Sequence, residues 1–484
     1  MQGEKCVIVG GGLAGLAAAI RLAHAGMRVV LMEKNATVGG KAGTFSKDGF
    51  TWDTGPSLVT MPEILRDLFE SVGRKMEDGL TLKKITPVCR YFWDDGTVID
   101  EDKEFFRRPE VRRFMNYAEK IYELSGEAFL KHPPERFHQA FLNPRNLRLL
   151  HHLPKVMTLK SVDQMVRKYF SDPHLRQLFN RFATYNGSDP YRAPATFNII
   201  PYVEEKFGAW YPEGGIVEIP RALEKLAREL GVEIRLDCPV TGINFQGVKY
   251  VADGKTLFEE ADIILCNADL IHAHDKLLYS QESRRESEKM ANKELSCSGY
   301  ILFLGVNRRY DQLSHHNIFF SKDYAREFRH IFKRFKLPED MTIYISVTSR
   351  TDARFAPPGC DNYFVLINSP TTHMTRDENY FQNLYPKMVI RRLEEMGLDG
   401  LEKHIVSQTV FTAYDFAERD NATGGALYGH ASNTPLTALL RPPIRSKAQD
   451  NLYFVGGTTH PGGGIPLVLL SAKMAVEMIL QRSR

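Results

Sequence analysis

The sequence predicts an α/β protein: a discontinuous Rossmann-type domain on a parallel sheet, interrupted by an α+β domain and a helical cap. Three observations predict it. Residues 5–33 follow the pattern strand, glycine turn, helix, strand; an apolar strand returns at residues 261–269; and residues 451–480 form a strand, a glycine-rich loop and a helix. Apolar strands alternating with helices indicate a parallel sheet covered on both faces. The long gaps between the three pieces mean that the domain is assembled from separate segments.

Cys6-Val7-Ile8-Val9 breaks into Gly10-Gly11-Gly12-Leu13-Ala14-Gly15 and then an Ala/Leu-rich helix to about Ala25. Gly10 permits the tight turn, Gly12 admits a pyrophosphate close to the backbone, and Gly15 lets the helix lie on the strand. The N–H groups around Leu13 and Ala14 would meet phosphate at the helix's positive end. Residues 27–32 form the second strand, and Glu33 follows Gly15 by eighteen positions. A carboxylate there accepts bonds from ribose hydroxyls and repels a 2′-phosphate. Beyond Glu33 and Lys34 come Gly39-Gly40-Lys41, completing E-x5-G-G-K, and Asp53-Thr54-Gly55-Pro56 after a strand at 50–52. Lys41 is either a cofactor contact or a solvated surface lysine. This extension resembles the flavin-dependent amine oxidase and phytoene desaturase superfamily, in which the second glycine pair lies near the flavin of FAD.

Composition sets bounds on the rest. A chain of 484 residues, 43% hydrophobic and 25% charged, suits an enzyme of two or three domains. Lysines and arginines (63) nearly balance aspartates and glutamates (59), which argues against a nucleic-acid partner. The six cysteines are scattered without a CxxC pair, so neither a metal site nor a disulfide framework is expected. No signal peptide or apolar run long enough to span a bilayer is seen.

Residues 62–72 carry a helical pattern, and 80–87, 90–93 and 97–99 carry strand patterns, with Asp94-Asp95-Gly96 as a hairpin turn. Residues 104–170 are helical in periodicity. From 141 to 170, six bases face one acid, with leucines between them, either as a helix lying on an anionic bilayer or as a cap facing the core. Residues 321–337 are a second candidate for a basic, membrane-facing helix. Trp210-Tyr211-Pro212, within a Pro-Glu-Gly-Gly turn segment, are candidate walls of a substrate pocket. A strand at 232–236, Val240 and a hairpin to 251 lead back to the nucleotide domain. Strands at 297–306, 318–320, 341–347, 363–368 and 405–412 and a helix at 379–396 return to the inserted one.

The closing loop joins Gly456-Gly457 to Gly464-Ile465-Pro466, where a helix N-terminus would stabilise negative charge on a reduced flavin. No cysteine follows Cys360, so the FAD is expected to be non-covalent. His460 is a base, a flavin contact or a loop residue bonded to backbone. No other residue is a candidate for catalysis.

Over nearly its whole length the chain resembles the bacterial-type phytoene desaturase family of carotenoid oxidoreductases. The resemblance rests on GGGLAGLAAAIRLA with E-x5-GGKAG, DTGPS, YNGSDP with WYPEGG, ILCNAD and VGGTTHPGGGIPLVLLSAK. It implies a GR2-like FAD fold, with backbone at Val240 near the adenine. It also implies a lipophilic carotenoid substrate, dehydrogenated by hydride transfer to flavin, and oxygen or a quinone as electron acceptor. The closing loop is similar to that of later-acting branches, so oxygenation of a terminal methyl is the alternative; a flavin amine oxidase or protoporphyrinogen oxidase is a more distant one. Residues 1–75, 220–275 and 415–484 are expected to form the FAD-binding domain, and 76–103, 185–219 and 276–414 the substrate domain. Residues 104–184 form the cap and candidate membrane contact. The protein is expected in the cytoplasm, peripheral on the inner face of the cell membrane. Oligomeric state is not legible.

Overall fold

The computed structural model describes residues 3–126, 130, 132–133 and 160–482. Most of the basic, leucine-rich stretch expected to lie on a membrane therefore falls outside the described residues. A five-stranded parallel sheet runs in the order Leu452–Phe454, Ile263–Cys266, Lys5–Val9, Arg28–Met32, Glu233–Arg235. Alternation decides its two faces. Cys6, Ile8, Leu31, Ile263 and Leu265 pack under the helices Leu13–His24, Glu218–Glu229 and Ile465–Gln481. Val7, Val9, Val30, Ile264 and Cys266 pack under a three-stranded meander, Val240–Asn244, Gly247–Ala252 and Lys255–Glu260. The third meander strand is not legible in the sequence because five of its six residues are exposed, which removes the apolar alternation.

A seven-stranded sheet has the order Ile405–Phe411, Ser298–Val306, Asp361–Ser369, Ile343–Ser346, His316–Phe319, Arg90–Phe92, Val98–Asp100. The expected Asp94-Asp95-Gly96 turn joins its last two strands as an antiparallel hairpin. One face, including Phe92, Phe319, Ile343 and Val365, is sealed by the helix Tyr385–Glu395. Across the other face the register aligns Tyr91, Ile318, Tyr344, Leu366, Ile301 and Phe411 in one row. Above the Tyr91 end of that row lie the helices Pro109–Ile121, Val162–Tyr169 and Pro173–Arg181.

Residues 321–337 correct the expectation of a membrane-facing apolar stripe. Tyr324, Phe328, Ile331 and Phe332 are buried in the aromatic core, while Lys322, Arg326, Arg329, Lys333, Arg334 and Lys336 are exposed. The apolar face is used internally, and only Phe335, in the left-handed region, stands out beside the bases.

Candidate functional site

The helix Leu13–His24 begins at Gly12, and no side chain caps it. Its first N–H groups have no partner within the helix, so they remain available to an anion. The glycines are required by contact: Gly10 has φ of +99°, and a Cβ on Gly15 would stand 2.2 Å from the Gly10 carbonyl oxygen. Leu13 and Ala14 are buried behind the turn. Gly39 donates to the Gly11 carbonyl and pairs with Gly12 as an isolated bridge, laying the second glycine pair beside the first. Gly40 faces the first turn, since a Cβ on it would come to 3.6 Å from the Gly12 Cα.

Glu33 is buried at the strand end, where Oε2 accepts from the Gly11 N–H at 2.7 Å. Oε1 accepts from the Asn35 N–H and Nδ2 at 3.0 and 2.8 Å. A carboxylate offers about four acceptor positions, so one remains for a hydroxyl donor. Lys34 is turned to the C-terminal end of the helix Ala413–Asp420, its Nζ donating to Asn421 Oδ1. Val240, half-buried, opens the meander strand next to this edge.

Asn267, at the end of strand Ile263–Cys266, ties the first turn to the closing loop. Its Nδ2 donates to the Gly10 carbonyl at 3.2 Å. A Cβ on Gly12 would meet Nδ2 at 2.8 Å, and one on Gly456 would meet Oδ1 at 2.7 Å. The sequence signal was a polar residue closing an otherwise apolar strand. The helix Ile465–Gln481 starts at Gly464, again with no side-chain cap, and packs along Leu13–His24. Gly457 and Pro466 are half-buried, Ile465 is buried and Gly464 is exposed. The start of one uncapped helix and the head of the closing loop at Gly456 thus meet at one asparagine, a cradle that fits a dinucleotide. His460 is fully buried in the loop, its amide donating to the Pro442 carbonyl.

Lys41, Tyr185, Tyr344 and Tyr428 each lie deep among protein atoms yet keep accessible surface. Side chains with both properties line an internal space. Lys41 Nζ donates to the Leu427 carbonyl at 2.8 Å; burial lowers its pKa, against the pull of Asp420 and Asp269. Gly55 lies under Lys41, since a Cβ there would come within 2.0 Å of the Lys41 carbonyl oxygen, and Pro56 and Ser57 follow half-buried. Tyr344 donates to Ser57 Oγ at 2.7 Å and meets His316 Nδ1 at 2.8 Å. Burial holds His316 far below the usual histidine range and takes its neighbour His315 down to about 3, so both are neutral. Arg441, with its pKa lowered to about 10 by burial, is fixed by Asn186 Oδ1 and Ser432 Oγ beside Gly462.

Of the expected pocket wall, Trp210 keeps accessible surface, while Tyr211 and Pro212 are buried. The Tyr211 hydroxyl donates to Asp53 Oδ2 at 2.6 Å, so this ring anchors the segment in the core and faces no open space. Burial raises Asp53 to about 7, against the bonds from Tyr211 and the Ile216 N–H. All six cysteines are free thiols, five of them buried.

This architecture has known counterparts. Residues 13–480 match the family described as flavin containing amine oxidoreductase. The chain is 39% identical to 4,4′-diapolycopene oxygenase of Methylomonas sp., covering 99% of this chain and 98% of that one. It is 37% identical to 1-hydroxycarotenoid 3,4-desaturase of a Flavobacterium species, covering 98% and 99%. An oxidoreductase from Methanosarcina mazei, known by crystal structure, shares the fold with a TM-score of 0.64 at 17% identity, covering 98% of this chain and 100% of that one. The chain belongs to the flavin-containing amine oxidoreductase family and is a flavin oxidoreductase.

Proposed function

We propose that the protein is an FAD-dependent carotenoid desaturase that introduces C=C bonds into a long polyisoprenoid. The observation that carries this reading is the dinucleotide cradle opening onto an enclosed space whose far side is an aromatic and aliphatic row. Relatives named for carotenoid substrates, aligned over nearly the full chain, support the substrate class.

Residues 1–75, 220–275 and 415–484 form the flavin-binding unit in this reading. The five parallel strands all come from these segments, and the seven-stranded sheet from 76–103 and 276–414. The free N–H groups at Gly12–Gly15 hold the pyrophosphate and Glu33 accepts a ribose hydroxyl. Val240 lies at the adenine end. Gly39, Gly40 and Gly55 let backbone approach the cofactor, and the helix end at Gly464–Pro466 favours negative charge at the redox edge. Bound flavin supplies a hydride acceptor, held without a covalent bond. The row Ile318, Tyr344, Leu366 and Phe411 aligns the polyene and excludes water. Oxygen or a quinone would serve as the electron acceptor.

The 39% identity to an oxygenase favours a second reading within the family, oxidation of a terminal methyl group. Peripheral attachment to the inner face of the cell membrane is proposed on the exposed Leu436 and Leu440 and the bases of 321–337. Among the described residues no helix is long and apolar enough to cross a membrane. Expression in a carotenoid-producing host tests the chemistry. Desaturation removes two hydrogens per step and oxygenation adds oxygen, so product mass separates the two. Purified protein without flavin, or a pigment profile unchanged by expression, overturns both.

A further inference from the structure

Within the aromatic core above the Tyr91 end of the sheet lie polar groups that a wholly hydrocarbon ligand does not require. The Tyr91 hydroxyl is bonded to Glu101 Oε2. Arg181 Nη2 donates to the Tyr91 oxygen at 2.5 Å and stands 3.6 Å from Glu101. On the helix Ile200–Phe207, Glu204 accepts from the Tyr185 hydroxyl at 2.5 Å through Oε2. Glu101 is 0% exposed and Glu204 1%, and the two carboxyls are within hydrogen-bond reach of each other. In each, Oε1 has no donor.

Two ionised carboxylates cannot face one another in such surroundings, because burial and like charge both disfavour the second ionisation. Burial, with Glu204 alongside, pushes Glu101 well above the usual carboxylate range. One proton placed between the pair satisfies both orphan oxygens. It also leaves a single negative charge against the single guanidinium of Arg181, so the cluster is neutral.

The cluster opens onto the internal space through Tyr185. From there the contacts run to the closing loop: a Cβ on Gly187 would stand 2.8 Å from Tyr428, and one on Gly463 2.6 Å from the same ring. Arg181 Nε is buried and has no acceptor, and the Tyr185 oxygen, already a donor to Glu204, can still accept.

We propose that Glu101 and Glu204 share one proton and, with Arg181, hold the Tyr185 hydroxyl as an acceptor for the hydroxyl end of an otherwise hydrocarbon polyene. This rests on the reading of the protein as a carotenoid oxidoreductase and narrows its substrates to chains already oxygenated at one end. A hydroxyl end donates to the Tyr185 oxygen, the one member of the cluster that keeps notable accessible surface.

Infrared difference spectra of the flavin-loaded protein against Glu101→Gln and Glu204→Gln test the shared proton. At a pH high enough to ionise Asp53 and Glu327, the carbonyl band of a protonated carboxylic acid is expected in the wild type and lost in both variants; its absence from the wild type under those conditions overturns the proposal. Paired probes, a conjugated polyene alcohol and the matching hydrocarbon, test the ligand by quenching of tryptophan fluorescence. The wild type should prefer the alcohol by about tenfold, the worth of a hydrogen bond within a charged network. Tyr185→Phe, which removes one hydroxyl and keeps the ring, should bring the ratio close to one. Equal binding by the wild type, or an undiminished preference in Tyr185→Phe, overturns the site. Absence of bound flavin would instead sink the proposed function while leaving the infrared result intact.

Discussion

The two sides of the internal space are built in opposite ways. The nucleotide side is made of backbone: Gly12, Gly15, Gly39 and Gly55 pack so closely that side-chain atoms are excluded, and Gly10 holds a positive φ that disfavours any side chain. The far side is made of side chains, Tyr185 and Tyr344 backed by the buried Tyr91 and His316, brought together from separate strands and turns. A backbone-built site tolerates almost no added atom, whereas a side-chain-built site tolerates the loss of a hydroxyl. Variants on each side should therefore differ in kind.

The largest effect is expected for Gly15→Ala. Its methyl group would stand 2.2 Å from the Gly10 carbonyl oxygen, a clash with backbone that no rotamer relieves. We expect a loss of roughly 3 kcal/mol or more in stability and protein purified without flavin, read by visible absorbance and thermal unfolding. On the other side, Tyr344→Phe removes the bonds to Ser57 and His316 but leaves the ring in place. It should cost about 1 kcal/mol and keep full flavin content. Equal flavin loss in both variants would break the distinction.

A second test uses one buried acid from each side. Asp53 and Glu327 are both raised to about 7, chiefly by burial, each against the bonds it accepts. A carboxyl with a higher pKa in the folded state than in the unfolded chain favours folding below the unfolded pKa, about 4. That advantage falls away as pH rises towards 7 and is gone above it. The contribution of each carboxyl should decline between about pH 4 and 7, by on the order of a few kcal/mol for each group, against the opposite rise from His315 and His316, which are buried neutral. Asp53→Asn and Glu327→Gln should each flatten part of the decline in thermal unfolding followed against pH. A stability difference between wild type and either variant that stays constant over this window would contradict the protonation assigned to that group.

The same contrast explains what could be read from the chain. Gly10–Gly15, Glu33 and Gly39–Gly40 declare themselves because backbone demands are local and force particular residues at fixed spacing. Strand positions followed alternation for the same reason, and failed at Lys255–Glu260, where both faces are wet. Asn267 was visible only as a polar end to a strand; its contacts with Gly12 and Gly456 come from segments about 190 residues or more away. The pairing of Glu101 with Glu204, or of His316 with Tyr344, leaves no local trace, since each residue alone is ordinary in its own strand or helix. The amphipathic stretch 321–337 misled for a related reason. An apolar stripe records that a face is covered, and here protein covers it.

The smallest effect probes how the backbone-built side is held from outside. Arg21 on Leu13–His24, Asp67 on Pro62–Glu70 and Lys473 on Ile465–Gln481 meet at one carboxylate, with Arg21 Nη2 at 2.7 Å and Lys473 Nζ at 3.1 Å. The link joins both uncapped helices through a third. However, Asp67 is 47% exposed, so solvent and salt screen the pair. Asp67→Asn should cost no more than about 1 kcal/mol, with the difference from wild type shrinking as salt is raised. Flavin content should not change, because the apolar packing of Leu16, Ile20, Leu469 and Ala472 between the same helices remains. A large loss of flavin in Asp67→Asn would mean that helix placement depends on this bridge, and that the cradle is governed from its surface and not by glycine contacts.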